Sequence, residues 1–492
     1  MNPPRATDRR LAWIAFLLAL LSLAPRLWNL NSPLVGAHEF RQTQTAITVQ
    51  TMLEEPGFDF PVLDYETPLF GPPWRVPFEF PTYQLTAATL ARLMPGLSVD
   101  MACRITALGW FYLSAALLFG LARRQVSVAF ATVTLALYLW SPFAIHWSRA
   151  AMIDYCTVAL GLGYLALGLW ALERPNGASL AGAAIAGSLT AATKATSWPG
   201  VALVMGLAFL AAQRRSSAWR SWRALTRPAG IALVLFGVPL VAGVAWTAWA
   251  DRTKGASEWT RWLTSSAIRT WNFGRWSDRF ELDTWSTLSF VPALLVGLAL
   301  AGPVLRRRQP AIWRVAWPAA LAAASTASIF LNLYVVHDYY QIAVTPFLAV
   351  AAAAGLWALA ELSRPVRWAA FGALALAAVP YAMLAAPRFE GAMSADWEAS
   401  SVRLGRLIAR VTPPDRWVLV ALGERNWNPS TLYFSHRRGL MLCGRDPGEV
   451  DPRYATLVCD ACPEWLLERF PDRRLEGSLA GHSVYRIAPA AP

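Results

Sequence analysis

Ionisable side chains collect in a few short stretches of this otherwise apolar chain. The first polar stretch, residues 31–98, contains His38, Glu39, Arg41 and Glu79. A carboxylate or an imidazole can remove a proton from a hydroxyl group, and nearby cations can stabilise a departing phosphate. Ionisable groups close to a membrane are costly, so they indicate a functional site. This set of side chains predicts group transfer from a substrate that carries a phosphate.

Three later polar stretches contain further candidates. Arg149 and Asp154 lie five residues apart, just after an apolar segment. Lys194 interrupts a long apolar stretch, and only two of the 44 lysines and arginines are lysine. Its compact ammonium group suits a phosphate oxygen. The sequence His-Asp-Tyr-Tyr, from His337 to Tyr340, adds an imidazole and two phenolic hydroxyl groups. We predict that the residues that contact the substrate or its phosphate include Arg41, Arg149, Lys194, His337 and Tyr340.

Each of these residues also has a purely structural interpretation. Asp154 could cap a helix or pair with Arg149. Lys194 could extend its ammonium group to the membrane interface. Tyr340 and its neighbours could belong to an aromatic belt. Position along the chain does not separate these interpretations from a role in substrate binding.

The composition is that of a multi-pass membrane protein. Of the 492 residues, 55% are hydrophobic and 15% are charged, and the mean hydropathy is +0.35. Such a chain is too apolar to be a soluble globular protein or a disordered one. Apolar runs of about 17 to 25 residues mark transmembrane helices. We predict about eleven of them, near residues 11–30, 99–122, 126–143, 155–172, 179–193, 197–212, 229–249, 287–305, 312–333, 342–360 and 368–386.

Clusters of arginine predict the orientation in the membrane, because cytoplasmic loops are enriched in basic residues. Placing Arg5, Arg9 and Arg10 inside puts every later tight cluster of arginines inside as well. The N-terminus is then cytoplasmic, and the stretch 31–98 and the C-terminal region face the extracytoplasmic side of a bacterial-type plasma membrane. The same loops account for the net charge of +13, which argues against nucleic acid as a partner.

Two extracytoplasmic segments are predicted to lie at the membrane surface. Segment 31–98 is too long for a simple connector, and loops of that length are usually functional. Within it, residues 43–55 have apolar side chains at helical spacing, which predicts a short helix on the membrane surface. In segment 251–286, tryptophans alternate with arginines, and Arg269 is a candidate phosphate ligand. An aromatic belt without a ligand is the alternative for this second segment.

The composition changes near residue 397 to that of a soluble domain. We therefore divide the chain into a membrane part, residues 1–390, and a small extracytoplasmic α/β domain, residues 391–492. Hydrophobic periodicity predicts the elements of this domain. They are a helix at 399–411, strands at 417–422, 439–443 and 454–458, a helix at 463–470, and a closing pair of strands at 473–478 and 483–487.

Three cysteines lie in this C-terminal domain. An extracytoplasmic compartment permits disulfides, so we predict that Cys443 pairs with Cys459 or Cys462. A zinc site formed by the three cysteines with His436 is the alternative, because it has the usual number and type of ligands.

The order of the polar motifs resembles that of a known enzyme family. The matching pieces are His-Glu-Phe-Arg at His38, Phe-Glu-Phe-Pro at Phe78 with Tyr83, Ser148 to Asp154, Thr193 with Lys194, and His337 to Pro346. They span most of the membrane part and occur in the same order on the same side. In this respect the chain is similar to the polyprenyl-phosphate-sugar-dependent glycosyltransferases of the GT-C class. It resembles in particular the branch that contains protein O-mannosyltransferases and the lipid A aminoarabinose transferase.

The resemblance implies a function and several roles. It implies a GT-C-like membrane enzyme that transfers a sugar from a polyprenyl-phosphate donor to an extracytoplasmic glycan, lipid or protein, with inversion at the anomeric carbon. Lys194 and Tyr340 resemble residues near the lipid phosphate. Glu79 resembles a glutamate that can hold a divalent metal ion in the aminoarabinose transferase. His38 is a departure, because the family usually has an aspartate, proposed as the catalytic base, at this position.

Three residues are candidates for the base that deprotonates the acceptor. A carboxylate that is strongly paired with a cation stays ionised and is the poorer base. Asp154 has Arg149 close enough to pair, whereas Arg41 would point to a different face of a helix from Glu39. We therefore predict that Glu39 is the base and that Asp154 orients the acceptor or Arg149. His38 is the third candidate.

Two other functions are compatible with the sequence. A transporter or flippase for a lipid-linked or polar substrate also uses intramembrane charges. Transporters, however, have repeated halves with broken helices near the membrane midplane, whereas here the charges lie at one face and no repeat is visible. An inactive relative that acts as a scaffold also fits, because His38 replaces an acid.

Overall fold

The computed structural model describes residues 6–54, 65–174, 176–215, 222–265, 302–369, 372, 396–423, 427–460 and 462–487. Among these residues, six helices are long and apolar enough to cross a membrane, judged by length and composition. They are Ala6–Leu27, Val99–Gln125, Asp154–Glu173, Ala195–Arg214, Thr226–Gly255 and Asp338–Ala360. The predicted count of about eleven is not confirmed, since the runs near 287–305 and 368–386 fall largely outside the described residues.

The helices of the membrane part are numbered along the chain. They are α1 (Ala6–Leu27), α2 (Glu39–Glu54), α3 (Thr82–Leu93), α4 (Val99–Gln125), α5 (Val128–Trp140), α6 (Pro142–Trp147), α7 (Asp154–Glu173), α8 (Gly177–Thr193), α9 (Trp198–Arg215), α10 (Trp222–Ala232), α11 (Val238–Gly255), α12 (Pro310–Ile329), α13 (Leu331–Val336) and α14 (Thr345–Ala360). Residues 302–308 and 364–369 are also helical.

The sequence predicts two weak spans on either side of Lys194, and the structure has a helix on each side of it. Helix α8 ends at Thr193, a short 3₁₀ turn covers Ala195–Ser197, and α9 begins at Trp198. Helix α8 packs closely on α7 and α11. At Gly187, a Cβ atom would come within 2.8 Å of Pro239, so only glycine fits there. This packing holds the C-terminal end of α8 against the N-terminal end of α7.

Helix α2 is longer and more buried than the sequence predicts. It begins at Glu39, four residues before the predicted start, and every side chain from Gln42 to Met52 is buried. The predicted helix is therefore present, but its expected position lying on a surface is wrong, because its side chains are buried within the protein. The threonines explain why this polar helix can be buried, because hydroxyl groups of Thr43 and Thr51 donate to the carbonyl oxygens four residues earlier, at 2.8 and 2.9 Å.

Among its described residues, the C-terminal domain consists of a five-stranded sheet and three helices. Its elements are α15 (Ser400–Val411), β1 (Trp417–Leu422), α16 (Ser430–Ser435), β2 (Gly439–Met441), β3 (Tyr454–Asp460), α17 (Glu464–Glu468), β4 (Arg474–Leu479) and β5 (His482–Arg486). The strand order is β2-β1-β3-β5-β4, with β1 parallel to both neighbours and the other pairs antiparallel. The predicted elements are all present, and the sequence misses only the short helix α16.

The cysteine pairing differs from the prediction. Cys459, on β3, forms a disulfide with Cys462, three residues later. Cys443 is a free thiol, and burial raises its pKa to about 11. The predicted pair with Cys443 is wrong, because Cys443 follows β2, which β1 separates from β3 in the sheet. The same disulfide removes two of the sulfur ligands from the alternative zinc site.

The C-terminal domain packs on the loop that follows α2. This loop forms hydrogen bonds with the outer edge of strand β2. Gly439 N donates to Pro68 O at 3.2 Å, and Met441 N donates to Leu69 O at 3.0 Å. The Tyr433 hydroxyl of α16 also donates to Asp100, in the first turn of α4, at 2.5 Å. The domain therefore sits at the same end of the bundle as α2.

Candidate active site

The structure brings most of the predicted polar residues to one end of the membrane helices. Asp154 lies in the first turn of α7, and Lys194 directly follows α8, so each charge has the sign that its helix terminus favours. The Lys194 ammonium group donates to Asp154 Oδ1 in an ion pair whose side chains are 8% and 2% exposed. Asp154 thus pairs with Lys194, whereas the sequence suggests a pair with Arg149. Breaking such a buried pair leaves an uncompensated charge.

A second ion pair, largely shielded from solvent, lies beside the first. Arg41, in the first turn of α2, donates to Glu79, and both side chains are 12% exposed. Burial acts to lower the pKa of Arg41, but Glu79 outweighs it and the pKa is raised above its ordinary value. Tyr65 fixes the loop around Glu79, because its hydroxyl group donates to Glu79 O at 2.7 Å and accepts from Phe78 N at 2.9 Å. Gln84 donates to the other carboxylate oxygen at 3.4 Å.

Two tyrosines lie against both ion pairs. The segment Asp338–Val344 is a 3₁₀ helix that leads into α14. It places the Lys194 Nζ atom 4.3 Å from the ring centroid of Tyr340 and 5.1 Å from that of Tyr339. An ammonium group at these distances is stabilised by the ring faces. The two pairs and the two tyrosines form one cluster, which we call the charged cluster: Arg41, Glu79, Asp154, Lys194, Tyr339 and Tyr340.

His337 and His38 lie at the edge of the charged cluster. Burial, followed by the neighbouring His38 and Arg41, lowers the pKa of His337 to about 4, so this imidazole is neutral near pH 7. The His38 ring is 5.3 Å from the His337 ring and 5.0 Å from the Tyr339 ring, measured between centroids. His38 Nε2 is also 2.9 Å from Asp338 Oδ1.

Glu39 faces a different part of the molecule from its neighbour His38. It lies beside Ser430 and Ser401, which belong to helices α16 and α15 of the C-terminal domain. Burial raises the pKa of Glu39, while hydrogen bonding to the two serines opposes that shift. Its predicted role as the base stays a prediction, but its described partners are residues of the domain and not members of the charged cluster.

One of the predicted phosphate ligands, Arg149, is not part of the charged cluster. Arg149 Nη2 donates to the carbonyl oxygen of Asn29 at 3.1 Å, in the turn that follows α1. Burial, followed by the nearby Arg104, lowers the pKa of Arg149 to about 10. Arg269 lies outside the described residues. The contact of either residue with a substrate stays a prediction.

The residues around Glu79 do not fit a metal ion. One carboxylate oxygen already pairs with Arg41 and the other accepts from Gln84. Over the described ranges, no three histidine, cysteine, aspartate or glutamate side chains come together in a group that could hold a metal. A divalent ion needs several such ligands, and the described residues around Glu79 do not supply them.

Sequence reasoning missed two residues of this region. Tyr65, which holds the loop around Glu79, gave no signal, because a lone tyrosine in a polar loop has no characteristic spacing. Asp338 stands inside the motif His-Asp-Tyr-Tyr, but its partner His38 is 300 residues away. Only the packing of α2 against the segment that leads into α14 shows that these two residues meet.

The charged cluster still has hydrogen-bonding capacity. Asp154 Oδ2 is buried and has no hydrogen-bond partner within the described part of the chain, and the same holds for Gln341 Oε1. Buried polar atoms in native proteins are almost always bonded. Two cations, two tyrosines and an unbonded carboxylate oxygen at one place can bind an anion and accept hydrogen bonds from hydroxyl groups.

Comparisons with solved structures identify the fold. ArnT from Cupriavidus metallidurans in the apo state aligns over 98% of both chains with a TM-score of 0.58 and 15% identity. The same protein bound to undecaprenyl phosphate aligns over 99% of this chain and 100% of that one, with a TM-score of 0.57 and 16% identity. AglB, the oligosaccharyltransferase from Archaeoglobus fulgidus, in complex with an inhibitory peptide and a dolichol-phosphate, aligns over 92% of this chain and 69% of that one. Its TM-score is 0.59 at 11% identity.

At these identities the likeness establishes the fold. The predicted architecture, a helical membrane part followed by a small C-terminal sheet domain, is confirmed. No family model and no curated protein matches the chain.

Proposed function

We propose that this protein is an integral-membrane glycosyltransferase that moves a sugar from a polyprenyl-phosphate donor to an extracytoplasmic acceptor. The observation that carries the proposal is the charged cluster, which places Arg41, Lys194 and Tyr340 together at one end of the membrane helices. Two structures with this fold support the class of donor, because one is bound to undecaprenyl phosphate and the other to a dolichol-phosphate.

The donor phosphate would lie between the two cations of the charged cluster. In the structure each cation is already paired, Arg41 with Glu79 and Lys194 with Asp154. A phosphate must therefore share these cations with the carboxylates. When no ligand is bound, the two carboxylates balance the two positive charges. Tyr340 adds a phenolic donor beside Lys194. Arg149, His337 and Arg269 remain predicted contacts of the donor.

The transfer itself is a single displacement. The acceptor oxygen forms a bond to the anomeric carbon, and the bond from that carbon to the phosphate oxygen breaks with its electron pair going to the phosphate. A base takes the acceptor proton, and the polyprenyl phosphate leaves as the second product. One displacement from the opposite face inverts the anomeric configuration. Cations held in a dry site stabilise the charge that develops on the phosphate.

The proposed orientation rests on the difference between the two ends of the helix bundle. The tight arginine clusters lie at the end opposite the charged cluster, near the C-terminal ends of α4 and α9. If those arginines are cytoplasmic, the charged cluster and the C-terminal domain face the outside of the plasma membrane. The acceptor, a glycan, lipid or protein, then reaches the site from that compartment.

The test is sugar transfer by the full chain in detergent or liposomes. A panel of radiolabelled polyprenyl-phosphate sugars is supplied with extracted cell-envelope acceptors, and transfer is measured with wild type and with Lys194→Ala. We expect transfer from at least one donor, and an apparent KM for the donor that rises more in the variant than the KM for the acceptor.

The matched control is Arg124→Gln, which removes a basic residue at the other end of the bundle. Arg124 pairs with Glu173 on the exposed surface, so we expect the donor KM to be unchanged. Failure of every donor in the panel with folded wild-type protein would refute the proposed function. An unchanged donor KM in Lys194→Ala would instead remove Lys194 from the phosphate site.

A further inference from the structure

We propose that His38 and Asp338 form the base that deprotonates the acceptor hydroxyl group, an inference that rests on the proposed function. Asp338 Oδ1 lies 2.9 Å from His38 Nε2. An ionised carboxylate can only accept hydrogen bonds, so Nε2 carries the proton. The other ring nitrogen, Nδ1, then has a free lone pair. Within the part of the chain that the structure describes, Nδ1 has no hydrogen-bond partner.

The backbone of His38 gives an independent reason to assign it a function. Its φ angle is +51°, in the left-handed region that suits glycine or asparagine. A non-glycine residue held there costs on the order of 1 to 3 kcal/mol, and such residues cluster at functional sites. The turn itself needs no imidazole, because Arg41 N and Gln42 N bond only to the carbonyl oxygen of His38. The side chain at this strained position therefore has a use beyond starting α2.

The surroundings hold the imidazole in place and leave it accessible. Three aromatic rings, of Trp147, His337 and Tyr339, lie 5.5, 5.3 and 5.0 Å from its centroid. The side chains of His38 and Asp338 are nevertheless 23% and 22% exposed, more than either ion pair of the charged cluster. A general base must reach its proton directly or through one water. The pair is therefore partly open to an acceptor hydroxyl group, unlike the two ion pairs of the charged cluster.

The step is balanced with the groups present. Nδ1 takes the acceptor proton as the acceptor oxygen attacks the anomeric carbon, and the phosphate leaves with the electron pair of the broken bond. The resulting imidazolium is stabilised by the Asp338 carboxylate, which accepts from Nε2 throughout. Asp338 is thus a positioning residue that acts through His38. Of the other two candidates, Asp154 is paired with Lys194 through Oδ1 and its second oxygen is buried, and Glu39 lies beside serines of the C-terminal domain.

The test is a double-mutant cycle in the donor assay, with His38→Asn and Asp338→Asn made singly and together. Asparagine tolerates the left-handed backbone, so His38→Asn removes the base without disturbing the turn. We expect this variant to lose about 10²- to 10⁴-fold in turnover with donor affinity unchanged. We expect a smaller loss in Asp338→Asn and no further loss in the double variant, because Asp338 acts only through the imidazole.

Two further variants separate a base from a structural ion pair. His38→Gly keeps the left-handed backbone and opens space for a small molecule, so added imidazole should restore part of its turnover. His482→Ala removes a histidine of the β4–β5 hairpin and should leave turnover unchanged.

Two outcomes would overturn the proposal. One is that the losses in turnover of the two single variants multiply in the double variant. The other is that His38→Asn has normal turnover per folded molecule. Loss in Glu39→Gln with retention in His38→Asn would assign the base to Glu39. If wild type transfers no sugar at all, the failure belongs to the proposed function.

Discussion

The two ends of the helix bundle contain ion pairs of similar chemistry in opposite surroundings. At the end opposite the charged cluster, which we call the arginine end, Arg124 pairs with Glu173 and the side chains are 39% and 53% exposed. At the charged cluster, Lys194 pairs with Asp154 at 8% and 2% exposure. Exposed pairs contribute little because water and salt screen them, whereas buried pairs carry a desolvation penalty.

This difference teaches how to recognise the site. Both ends are rich in charge, so the number of charges does not distinguish them. The buried pairs are costly and contribute no obvious stability over apolar residues of the same size. Their presence at one end therefore indicates a function, whereas exposed arginines in short loops are what insertion in one orientation requires.

We expect the two ends of the bundle to face different compartments. A reporter fused after Pro492 tests this orientation with an all-or-none result. The C-terminal domain sits at the end of the charged cluster, so the reporter should be active only outside the cytoplasm. The control is the same reporter inserted after Arg124, at the arginine end, which should be active only inside. A cytoplasmic signal from the C-terminal fusion would reverse the orientation and the site with it.

Breaking a buried pair should have the largest energetic effect. Asp154→Asn leaves the Lys194 charge buried without a partner, so we expect a loss of about 3 to 5 kcal/mol in the free energy of unfolding together with loss of sugar transfer. Thermal or denaturant unfolding in detergent measures the first effect.

The double variant Asp154→Leu with Lys194→Met separates stability from function. Replacing both partners by apolar residues should restore most of the stability, but transfer should stay lost. Recovery of transfer in the double variant would mean that the pair only supports the fold.

A pH titration of stability tests the burial of His337 at the edge of the charged cluster. The pKa of His337 is lowered from 6.5 to about 4 in the folded protein. Between pH 4 and pH 6.5 the unfolded chain binds a proton at His337 that the folded chain does not bind. The free energy of unfolding is therefore at its full value above pH 6.5 and decreases as the pH falls towards 4. The full loss is on the order of 3 kcal/mol. Stability curves of wild type and His337→Gln should diverge in this window. Curves of His482→Gln should stay parallel to wild type.

The smallest effect is expected at the arginine end. Glu173→Gln removes the partner of Arg124, which is exposed, so the free energy of unfolding should change by at most about 1 kcal/mol. High salt should remove the difference, because salt screens exposed charges. A loss as large as that of Asp154→Asn would show that exposure does not separate the two ends.

The sequence locates the charged residues well, because costly charges next to apolar runs stand out without a structure. Lys194 and Asp154 were identified in this way, and strand β1 was predicted at its observed bounds. The partners were harder to predict. Asp154 pairs with a residue 40 positions later because α7 packs on α8, and His38 meets Asp338 across 300 residues. Such pairings follow from helix packing, which periodicity does not encode.

Burial of a polar helix was also beyond the sequence. Helix α2 is rich in threonine and glutamine, so its composition indicates a solvent-facing or membrane-surface position. Thr43 and Thr51 satisfy their hydroxyl groups within the helix itself, so these side chains need no water. The disulfide was mispredicted for a similar reason, because the distance between Cys443 and Cys459 depends on the order of strands and not on their spacing in the chain.

The loop that bonds to β2 has a consequence for the C-terminal domain as an isolated piece. In the full chain, backbone groups of Gly439 and Met441 are occupied by Pro68 and Leu69, so this edge of the sheet is covered. Cut free of the membrane part, the domain would present an open strand edge with buried apolar residues beside it, and exposed edges of this kind recruit other chains. By covering the edge of β2, the membrane part thus protects the domain from aggregation through this strand.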